Sequence, residues 1–456
     1  MEELNALSLT LEATDKERYM RVLIVTPSFP PFQGSHTQRM VALANALVED
    51  NIETAVLTTE ILEGHPSYDP DMMGQVDNRV VIYRCPFGKL HRKAYTSFQN
   101  YTDNKYGING ASSGFKSKIV KVVEKIKNGV LLPDSLIDWY FPTIRYIHET
   151  DLINKYKPDF LLSCSMPNTV HVICEKIHRE YHVPVLMDYA DPWVYIAYYE
   201  HGKVRFNIEK KMEERCIQAG SLYSFSTPGA EKLYIDKFGL SPKKTFTALT
   251  GYDDKLKTGK QASAKKDDEQ IVLTYGGALQ IGIRNPEPFL KVIQKFVEEN
   301  VTLKIRTDDV MGIQALVDKH CPKGKKTNIT VEKYIPFDAY YEEMLSSDVL
   351  VFWGNTTSDQ LPGKIFNYLP TRKLIFYIAN NSDREKDQAM SVIEDYGNYI
   401  YVNNDEISLE SGLREMIAKL RNGEIKEIDE DKILKYSTQN QFAVFAEKIR
   451  NYLANN

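Results

Sequence analysis

Short, mostly apolar runs bounded by polar residues recur along the whole chain. Such a run is typical of a parallel strand covered on both faces, because neither face of the strand is polar. Between many of the runs, apolar residues recur at helical spacing, as Met40, Leu43 and Leu47 do. The predicted strands cover 21–26, 54–58, 80–84, 160–163, 185–188, 222–226, 271–275, 301–305, 329–331, 348–353, 374–379 and 399–402. The alternation of strands with helices predicts βαβ units and mostly parallel sheets.

The alternation breaks over 255–268, a stretch rich in lysine, serine and alanine with no apolar period. The chain is also too long for one hydrophobic core, so the break predicts a boundary between two domains. We therefore predict an α/β fold of two tandem Rossmann-like, doubly wound domains with an interdomain cleft. The predicted parts are an N-terminal extension over 1–19, a first domain over 20–254, a linker or exposed excursion over 255–268, a second domain over 269–436, and a C-terminal helix over 437–456 that packs back on the first domain. In such sheets, ligands bind beyond the carboxyl ends of the strands.

The composition excludes several classes of function. Charged residues are 26% of the chain and the formal net charge is −5, so no basic field predicts nucleic-acid binding. The five cysteines include no C-x-x-C pair, which fits reduced thiols in a cytoplasmic protein better than a disulfide framework. The nine histidines show no paired ligand spacing, and we predict no metal site.

Two features of the sequence bear on membranes. Residues 1–19 lack the apolar core of a signal peptide, and no apolar run approaches the roughly 18 to 20 residues that cross a bilayer. The segment that begins at Phe115 and ends at Leu132 interleaves lysines with apolar residues, which is typical of a helix lying on an anionic membrane surface. Ordinary helices whose lysines face water show the same pattern. We predict a cytoplasmic protein, and a peripheral contact of this segment with the inner face of the cell membrane stays open.

One lysine lies where an anion would bind. Pro362 and Gly363 suit the opening of a helix between the strands predicted at 348–353 and 374–379, and this puts Lys364 in the first helical turn. Unpaired backbone N–H groups and the helix dipole already favour an anion there, so the lysine is best explained by a phosphate beside it. The alternative is a solvated lysine on an ordinary loop.

Two further loops follow predicted strands and precede predicted helices. In the first, Gly34 permits close approach of a ligand to the backbone, and Arg39 follows one turn later. The second loop contains Gly277 and Arg284 and is another candidate for anion binding.

Two carboxylates lie at the carboxyl end of the strand predicted at 185–188, where Asp188 is the last residue and Asp191 follows three residues later. At the carboxyl end of a strand they would point into the ligand crevice, where an acid, a base or a hydroxyl-binding group is useful. Alternatively, Asp191 caps a following helix that has Pro192 at its first position. The two interpretations are compatible.

The order of these motifs resembles the two-domain GT-B glycosyltransferases, which use nucleotide sugars. In particular it resembles the retaining enzymes of family 4, many of which build bacterial surface polysaccharides. The resemblance runs from about residue 21 to residue 404 and rests on an ordered set of motifs. The set is Pro27-Ser-Phe-Pro-Pro-x-x-Gly34, Lys157-Pro158-Asp159, Asp188-Tyr-Ala-Asp191-Pro192-Trp193, Ser226-Thr-Pro-Gly-Ala, Gly251-Tyr252-Asp253, Gly276-Gly277 and Leu361-Pro362-Gly363-Lys364-Ile365-Phe366.

The resemblance implies a GT-B fold whose first domain faces the acceptor and whose second domain binds the nucleotide sugar. The implied activity transfers a sugar from a nucleoside-diphosphate sugar to a carbohydrate or lipid-linked acceptor, with retention of the anomeric configuration, in surface polysaccharide or glycan biosynthesis. It implies no metal and no cofactor beyond the donor substrate.

The resemblance also implies roles for individual residues. Gly34 belongs to the loop at the donor phosphates, and Gly277 to the donor site of the second domain. Arg284 and Lys364 hold the diphosphate and stabilise the charge that develops on it, which makes them catalytic. Asp191 faces the sugar or acceptor side as a hydroxyl-binding or acid/base group.

The sequence departs from the family pattern at several of these positions. Family members typically carry Glu-x7-Glu, with the first acid near the sugar and the second on the ribose, whereas this chain has Asp359 and Asn367. Asparagine can bind ribose hydroxyls but lacks the charge assistance worth about 1.5–3 kcal/mol per bond. The histidine often found after the central strand is missing from 163–168, and Ala190 replaces the usual arginine before Asp191.

Asn367 and the missing loop histidine favour a second hypothesis, a catalytically degenerate GT-B protein that binds a nucleotide sugar or a partner glycosyltransferase without turnover. The retained residues favour the transferase, and they are Gly34, Asp191, Arg284 and Lys364. A hydrolysing or epimerising enzyme of the same fold is a third.

Overall fold

The computed structural model describes residues 20–63, 65, 67–90, 92, 131–196, 202–261, 264–279, 284–321, 327–355, 361–380 and 384–456. The chain divides into two units. The first comprises Met1–Ser226, Glu231–Ala248 and Phe442–Asn456, and the second comprises Thr227–Ala230 and Leu249–Gln441.

The described residues of the first unit form a seven-stranded sheet, in which all neighbouring strands are parallel. Its strands are β1 (Arg21–Val25), β2 (Glu53–Thr59), β3 (Val81–Cys85), β4 (Phe160–Ser165), β5 (Val185–Tyr189), β6 (Leu222–Phe225) and β7 (Thr245–Thr247). Their spatial order is β3-β2-β1-β4-β5-β6-β7. The chain thus winds outward from the centre in both directions, and the order reverses between β1 and β4. That reversal is the place where doubly wound sheets open a crevice for ligands.

The described residues of the second unit form a six-stranded sheet that is likewise parallel. Its strands are β8 (Ile271–Gly276), β9 (Val301–Arg306), β10 (Ile329–Glu332), β11 (Val349–Trp353), β12 (Leu374–Ala379) and β13 (Tyr399–Asn403). Their order is β10-β9-β8-β11-β12-β13, so the winding reverses between β8 and β11.

Helices connect the strands in both units. In chain order they are α1 (Ser35–Glu49), α2 (Tyr140–Thr150), α3 (Leu152–Tyr156), α4 (Thr169–Tyr181), α5 (Lys203–Ala219), α6 (Pro228–Phe238), α7 (Glu287–Ile293), α8 (Val310–His320), α9 (Phe337–Ser346), α10 (Lys364–Tyr368), α11 (Met390–Tyr396), α12 (Glu406–Asn422), α13 (Glu430–Leu434) and α14 (Thr438–Ala454). No helix among the described residues is both long and apolar enough to cross a bilayer.

Strand β11 shows why a strand of these sheets can be apolar at every position instead of alternating apolar and polar residues. Val349, Val351 and Trp353 belong to the apolar cluster on one face of the second sheet. Leu350 and Phe352 belong to the cluster on the other face. Because successive side chains point to opposite faces, a strand covered by helices on both sides must be apolar at every position.

The last helix, α14, contributes an apolar stripe to the core of the first unit. Phe442, Phe445 and Ile449 are fully buried in the cluster that contains Val22 and Phe160 of the central strands. The spacing of this stripe follows the helical period, so one face of α14 is covered.

The predicted α/β architecture of two Rossmann-like, doubly wound domains is confirmed, and the predicted strands lie within two residues of the observed ones. The sequence interpretation missed β7, Thr245–Thr247, at the edge of the first sheet. The described residues 255–261 and 264–268 belong to the second unit, and Gly259 N–H donates to the carbonyl oxygen of Pro370 at 2.8 Å. Residues 115–130 of the lysine-rich segment and Asp359 lie outside the described residues.

Candidate functional site

Two glycines end strand β8, and the second adopts a backbone conformation that favours glycine. Gly277 has a φ of +147°, which is costly for a residue with a β-carbon. A β-carbon there would also lie 2.1 Å from Nζ of Lys364 and 3.1 Å from Oη of Tyr275. The absence of a side chain at Gly277 therefore allows the backbone and the lysine amine to lie close together.

Lys364 is the first residue of α10, and its amine lies against the end of β8. Nζ donates to Oη of Tyr275 at 2.8 Å and to the carbonyl oxygen of Gly276 at 3.0 Å. It also lies 4.1 Å from the centroid of the Tyr275 ring. Among the described residues it forms no ion pair with a carboxylate. Its partners thus fix the position of the ammonium group and leave its charge uncompensated.

Burial lowers the pKa of Lys364 well below its ordinary value, and the nearby positive charge of Arg284 lowers it further. Both effects disfavour the charged form of the amine. An anion placed beside the two cations would favour the charged form again, because opposite charges within a few ångströms raise the pKa of a base. The environment of Lys364 is therefore one in which an anion stabilises the ammonium.

Arg284 reaches the same place from the loop that follows β8. Its Nε donates to Oδ1 of Asn355 at 3.0 Å, and its Nη1 lies 3.5 Å from the carbonyl oxygen of Ala278. That carbonyl also accepts a hydrogen bond from Oη of Tyr275 at 3.1 Å. In the described part of the chain, no carboxylate pairs with Arg284. The guanidinium and the amine of Lys364 thus converge on Tyr275, as two cations held only by neutral groups.

A third basic residue nearby, Arg306 at the end of β9, has its charge compensated. Its Nη1 lies 2.6 Å from the carboxylate of Glu332 and its Nη2 lies 3.0 Å from that of Glu343. Unlike Arg306, neither Lys364 nor Arg284 has a carboxylate partner among the described residues.

A pocket of about 280 Å³ adjoins the amine of Lys364 at the carboxyl edge of the second sheet. It is lined by Gly276, Gly277, Arg306, Tyr334, Ile335, Phe337, Tyr340, Met344, Lys364, Asn367 and Tyr368. Its walls are mostly apolar and aromatic, with a few polar groups, which is the usual character of small-molecule sites. Asn367 lies in the wall one helical turn after Lys364.

The sequence interpretation missed the aromatic wall of this pocket. Tyr334 and Phe337 follow β10, and Tyr340 lies in the first turns of α9. The rule that ligands bind beyond the carboxyl ends of parallel strands could have pointed to the first two. Tyr340 comes near only because its ring packs against Gly276, where a β-carbon would lie 2.4 Å from it.

In the first unit, Gly34 directly precedes α1. Its φ is +153°, and among the described residues nothing lies within 4 Å of the position that a β-carbon would take. The backbone at the start of this helix can therefore be approached closely, as an anion-binding helix terminus requires.

Asp188 and Arg39 bind each other in the core of the first unit. The expectation that Asp188 points into a ligand crevice is therefore wrong. Asp188 accepts from Nε and Nη2 of Arg39 at 3.0 and 2.9 Å and from Oγ of Ser224 at 2.7 Å. Burial opposes the charge of Asp188, but Arg39 and the hydrogen bonds lower the pKa of its carboxyl below the ordinary value. Both side chains are buried, and each compensates the charge of the other, so the pair has a structural role.

Asp191 lies two residues after β5, in a bend. No helix begins at Pro192, since the next helix described is α5 with Gly202 before its first residue, so the helix-cap interpretation of Asp191 is wrong. The residues after Asp191 are held by the buried pair Tyr234 and Glu213.

The contacts of this pair are with backbone N–H groups. Trp193 N–H donates to Oη of Tyr234 at 2.9 Å, Val194 N–H donates to Glu213 at 3.2 Å, and Tyr234 donates to Glu213. Burial raises the pKa of Glu213 to about 8.

Among the described residues, no group of three or more histidine, cysteine, aspartate or glutamate side chains could hold a metal ion. The described cysteines are all free thiols.

Comparison of the sequence with protein-family models and with curated proteins finds no match. Solved structures do match. A sucrose-phosphate synthase from Thermosynechococcus elongatus has a TM-score of 0.59 at 12% identity, over 96% of this chain and 100% of that chain. A glycosyltransferase from Rickettsia africae has a TM-score of 0.55 at 10% identity, over 96% and 100%. An Escherichia coli trehalose-6-phosphate structure bound with UDP-2-fluoro glucose has a TM-score of 0.57 at 10% identity, over 94% and 99%.

The chain has the GT-B fold. Its likeness to these structures extends over nearly the whole length of each, with two parallel sheets of seven and six strands. At such low identity the GT-B likeness establishes the fold alone, so the function is argued from the residues of the site.

Proposed function

We propose that the protein is a glycosyltransferase that moves a sugar from a nucleoside-diphosphate sugar to a carbohydrate or lipid-linked acceptor. The observation that carries the proposal is the pair of Lys364 and Arg284. Both are cations held by neutral groups at the carboxyl edge of a parallel sheet, and neither has a carboxylate partner among the described residues. A diphosphate supplies the compensating charge. In support, the Escherichia coli neighbour is bound with UDP-2-fluoro glucose.

In this proposal the two cations act on the leaving group. When the bond between the anomeric carbon and the donor phosphate breaks, negative charge grows on the departing nucleoside diphosphate. Lys364 and Arg284 are fixed before the reaction begins, so they stabilise that charge without reorganising. Gly277 contributes by letting the backbone of β8 and the amine of Lys364 lie close together.

The pocket beside Lys364 is proposed to take the nucleoside. Aromatic side chains such as Tyr334 and Phe337 offer apolar faces to a base. Asn367 can both donate to and accept from ribose hydroxyls, since an amide carries both kinds of group. Asp359, predicted near the sugar, lies outside the described residues.

Roles for residues of the first unit complete the proposal. Gly34 is proposed to contact donor phosphate through its backbone, supported by its open, positive-φ conformation before α1. Asp191 is proposed as a hydroxyl-binding or acid/base group on the sugar or acceptor side, supported by its place after β5.

We also propose retention of configuration, action without a metal, and a cytoplasmic place in surface polysaccharide or glycan biosynthesis. The support for metal independence is that fixed cations already supply positive charge to the leaving group. The support for a cytoplasmic location is that the cysteines are free thiols. The remainder rests on the resemblance of the motifs to family 4.

The test is a panel of UDP-, GDP-, ADP- and dTDP-linked sugars, with chelator present, in which nucleoside diphosphate release and thermal stability are both measured. We expect one donor to raise the melting temperature and to be consumed, with transfer to water where no acceptor is supplied. A donor that binds but is never consumed, even with carbohydrate and lipid-linked acceptors, would identify a catalytically degenerate binding protein. If no donor binds, the proposal is refuted.

A further inference from the structure

Asn355 is the residue that orients Arg284. It lies two residues after the end of β11, is only 9% exposed, and accepts the hydrogen bond from Nε of Arg284 at 3.0 Å. A guanidinium carries donors only, so the amide oxygen must be the atom that faces it. The position and the direction of the guanidinium thus depend on one buried amide.

Two further asparagines bind the backbone next to this contact, at Gly354 and Asn285. Asn380 directly follows β12 and donates to the carbonyl oxygen of Gly354 at 2.8 Å. Asn404 directly follows β13 and donates to Oδ1 of Asn380 at 2.7 Å and to the carbonyl oxygen of Asn285 at 2.8 Å. Three neighbouring strands, β11 to β13, are therefore each followed by an asparagine, and the side chains of these three residues are neutral.

An aspartate at 355 would have the same shape and would hold Arg284 more firmly. A carboxylate–guanidinium pair is stronger than an amide–guanidinium contact, and such pairs compensate their own charge. The chain pairs the buried Arg39 with Asp188 and the half-buried Arg306 with two glutamates, although the half-buried Arg84 donates to the carbonyl oxygens of Thr59 and Pro30 instead. At Arg284 the chain uses the neutral amide instead, and this preserves the field of the cation.

From this geometry we propose that Asn355 is a positioning residue that orients Arg284 toward the donor diphosphate while leaving its charge uncompensated. The proposal rests on the proposed function, because it assumes that the anion at Arg284 is a diphosphate. It assigns to Asn355 an effect on affinity that operates through Arg284.

Two substitutions at Asn355 distinguish the effect of orienting Arg284 from the effect of the charge beside it. Asn355→Ala removes the contact and keeps the local charge, whereas Asn355→Asp keeps the contact and adds one negative charge. UDP, GDP, ADP and dTDP are first compared by calorimetry on the full chain. The one that binds most tightly is then used as the probe, together with its nucleoside monophosphate. We expect Asn355→Ala to weaken diphosphate binding about threefold to tenfold, and Asn355→Asp to weaken it by at least about tenfold.

The decisive result is which of the two variants binds diphosphate more tightly, because a purely structural role of Asn355 predicts the opposite order of affinities. If Asn355 only supports the fold, the isosteric Asn355→Asp protein is the better binder of the two. We also expect Asn355→Asp to melt at or above the temperature of Asn355→Ala, since it gains an ion pair with Arg284, and yet to bind diphosphate less tightly.

The monophosphate gives a second readout. Weakening should be larger for the diphosphate than for the monophosphate if the added charge acts on the phosphates. Asn380→Asp adds the same charge one strand further along the sheet and should weaken diphosphate binding less than Asn355→Asp does. Equal effects of these two aspartates would mean that bulk charge alone is responsible, and would overturn the role of Asn355.

The outcomes distinguish this inference from the proposed function. If the wild-type protein binds no nucleoside diphosphate, both are refuted. If it binds one and Arg284→Ala weakens binding, but Asn355→Asp binds as well as Asn355→Ala, the proposed function stands and the inference about Asn355 is refuted.

Discussion

Glu213→Gln should remove a pH dependence from the stability of the first unit. Glu213 is fully buried on α5, where it accepts hydrogen bonds from Val194 N–H and Tyr234. The negative charges of Glu209 and Glu214 nearby also disfavour its ionisation. Burial is the larger cause, and together they raise the pKa of Glu213 from 4.5 to about 8.

The sign and size of the effect follow from proton linkage. The folded protein holds the proton on Glu213 more tightly than the unfolded chain does, so the stabilisation is fully present below about pH 4.5 and is lost as the pH rises through about 8. One pKa unit corresponds to about 1.4 kcal/mol, so wild type should lose roughly 4 kcal/mol between pH 5 and pH 8 through this group. Glutamine keeps the shape and an acceptor for Val194 N–H but cannot ionise. The variant should therefore gain stability over wild type as the pH rises.

The assay is denaturant unfolding from pH 5 to pH 9. In a Trp353→Phe background the remaining tryptophans, Trp139 and Trp193, both lie in the first unit, so their fluorescence follows that unit. The control is Glu214→Gln on the same helix, whose carboxylate is 44% exposed and lies 3.6 Å from Nζ of Lys210. It should shift stability by less than about 1 kcal/mol at every pH. A stability difference between Glu213→Gln and wild type that stays constant from pH 5 to pH 8 would refute the reasoning.

Three further predictions concern the proposed donor site. Lys364→Ala and Arg284→Ala should each weaken nucleoside diphosphate binding by about 10- to 100-fold, because each removes a charge-assisted hydrogen bond. Asp191→Ala should mainly lower turnover. Equal small effects of all three substitutions on the affinity measured by calorimetry would contradict the assignment. Because burial and Arg284 lower the pKa of Lys364, diphosphate binding should raise that pKa and take up protons. Calorimetry between pH 7 and pH 9.5 in buffers of different ionisation enthalpy should detect the uptake in wild type but not in Lys364→Met, and its absence from wild type throughout that range would refute the linkage. Gly277→Ala should displace the amine of Lys364 and weaken diphosphate binding. The control is Gly239→Ala, which is also at positive φ but has no described atom within 4 Å of the added β-carbon, and it should lower only the melting temperature. Unchanged diphosphate affinity in Gly277→Ala would show that the close approach is not used.

The fold could be predicted from the sequence because parallel strands buried on both faces are the simplest pattern a chain can show. Runs such as 348–353 and 374–379 contain hardly any polar residue, and they gave strand positions directly. Strand β7 could not be found in this way, because Thr245–Thr247 is three residues long and lies at the sheet edge, with one apolar side chain between two threonines. Its position depends on pairing with β6 rather than on local composition.

The sequence predicted one shared edge for residues on two different loops. Gly277, Arg284 and Lys364 each follow a strand of the second unit, and the rule on carboxyl ends placed them at one edge. Tyr340 contributes to the pocket through its packing against Gly276, which no spacing in the sequence encodes. The same limit explains the error at Asp188. A carboxylate near the end of a strand, as Asp188 is in β5, can face a crevice or pair with a buried cation, and the sequence does not show the distance between Asp188 and Arg39.

The neutral partners of the two uncompensated cations all belong to the second unit. Lys364 is held by Tyr275 and Gly276, and Arg284 by Asn355 and Ala278, with no residue of the first unit among these contacts. Oxygens of neutral groups can fix a cation in place without cancelling its field, and a preorganised field of this kind is what an incoming anion needs. Because the contacts that hold Lys364 and Arg284 lie within the second unit, the contribution of these two cations to nucleoside diphosphate affinity should depend on that unit. Substitutions in the first unit at the predicted sugar or acceptor side should therefore appear in turnover before they appear in diphosphate affinity, and the reverse order would mean that the diphosphate site has been placed wrongly.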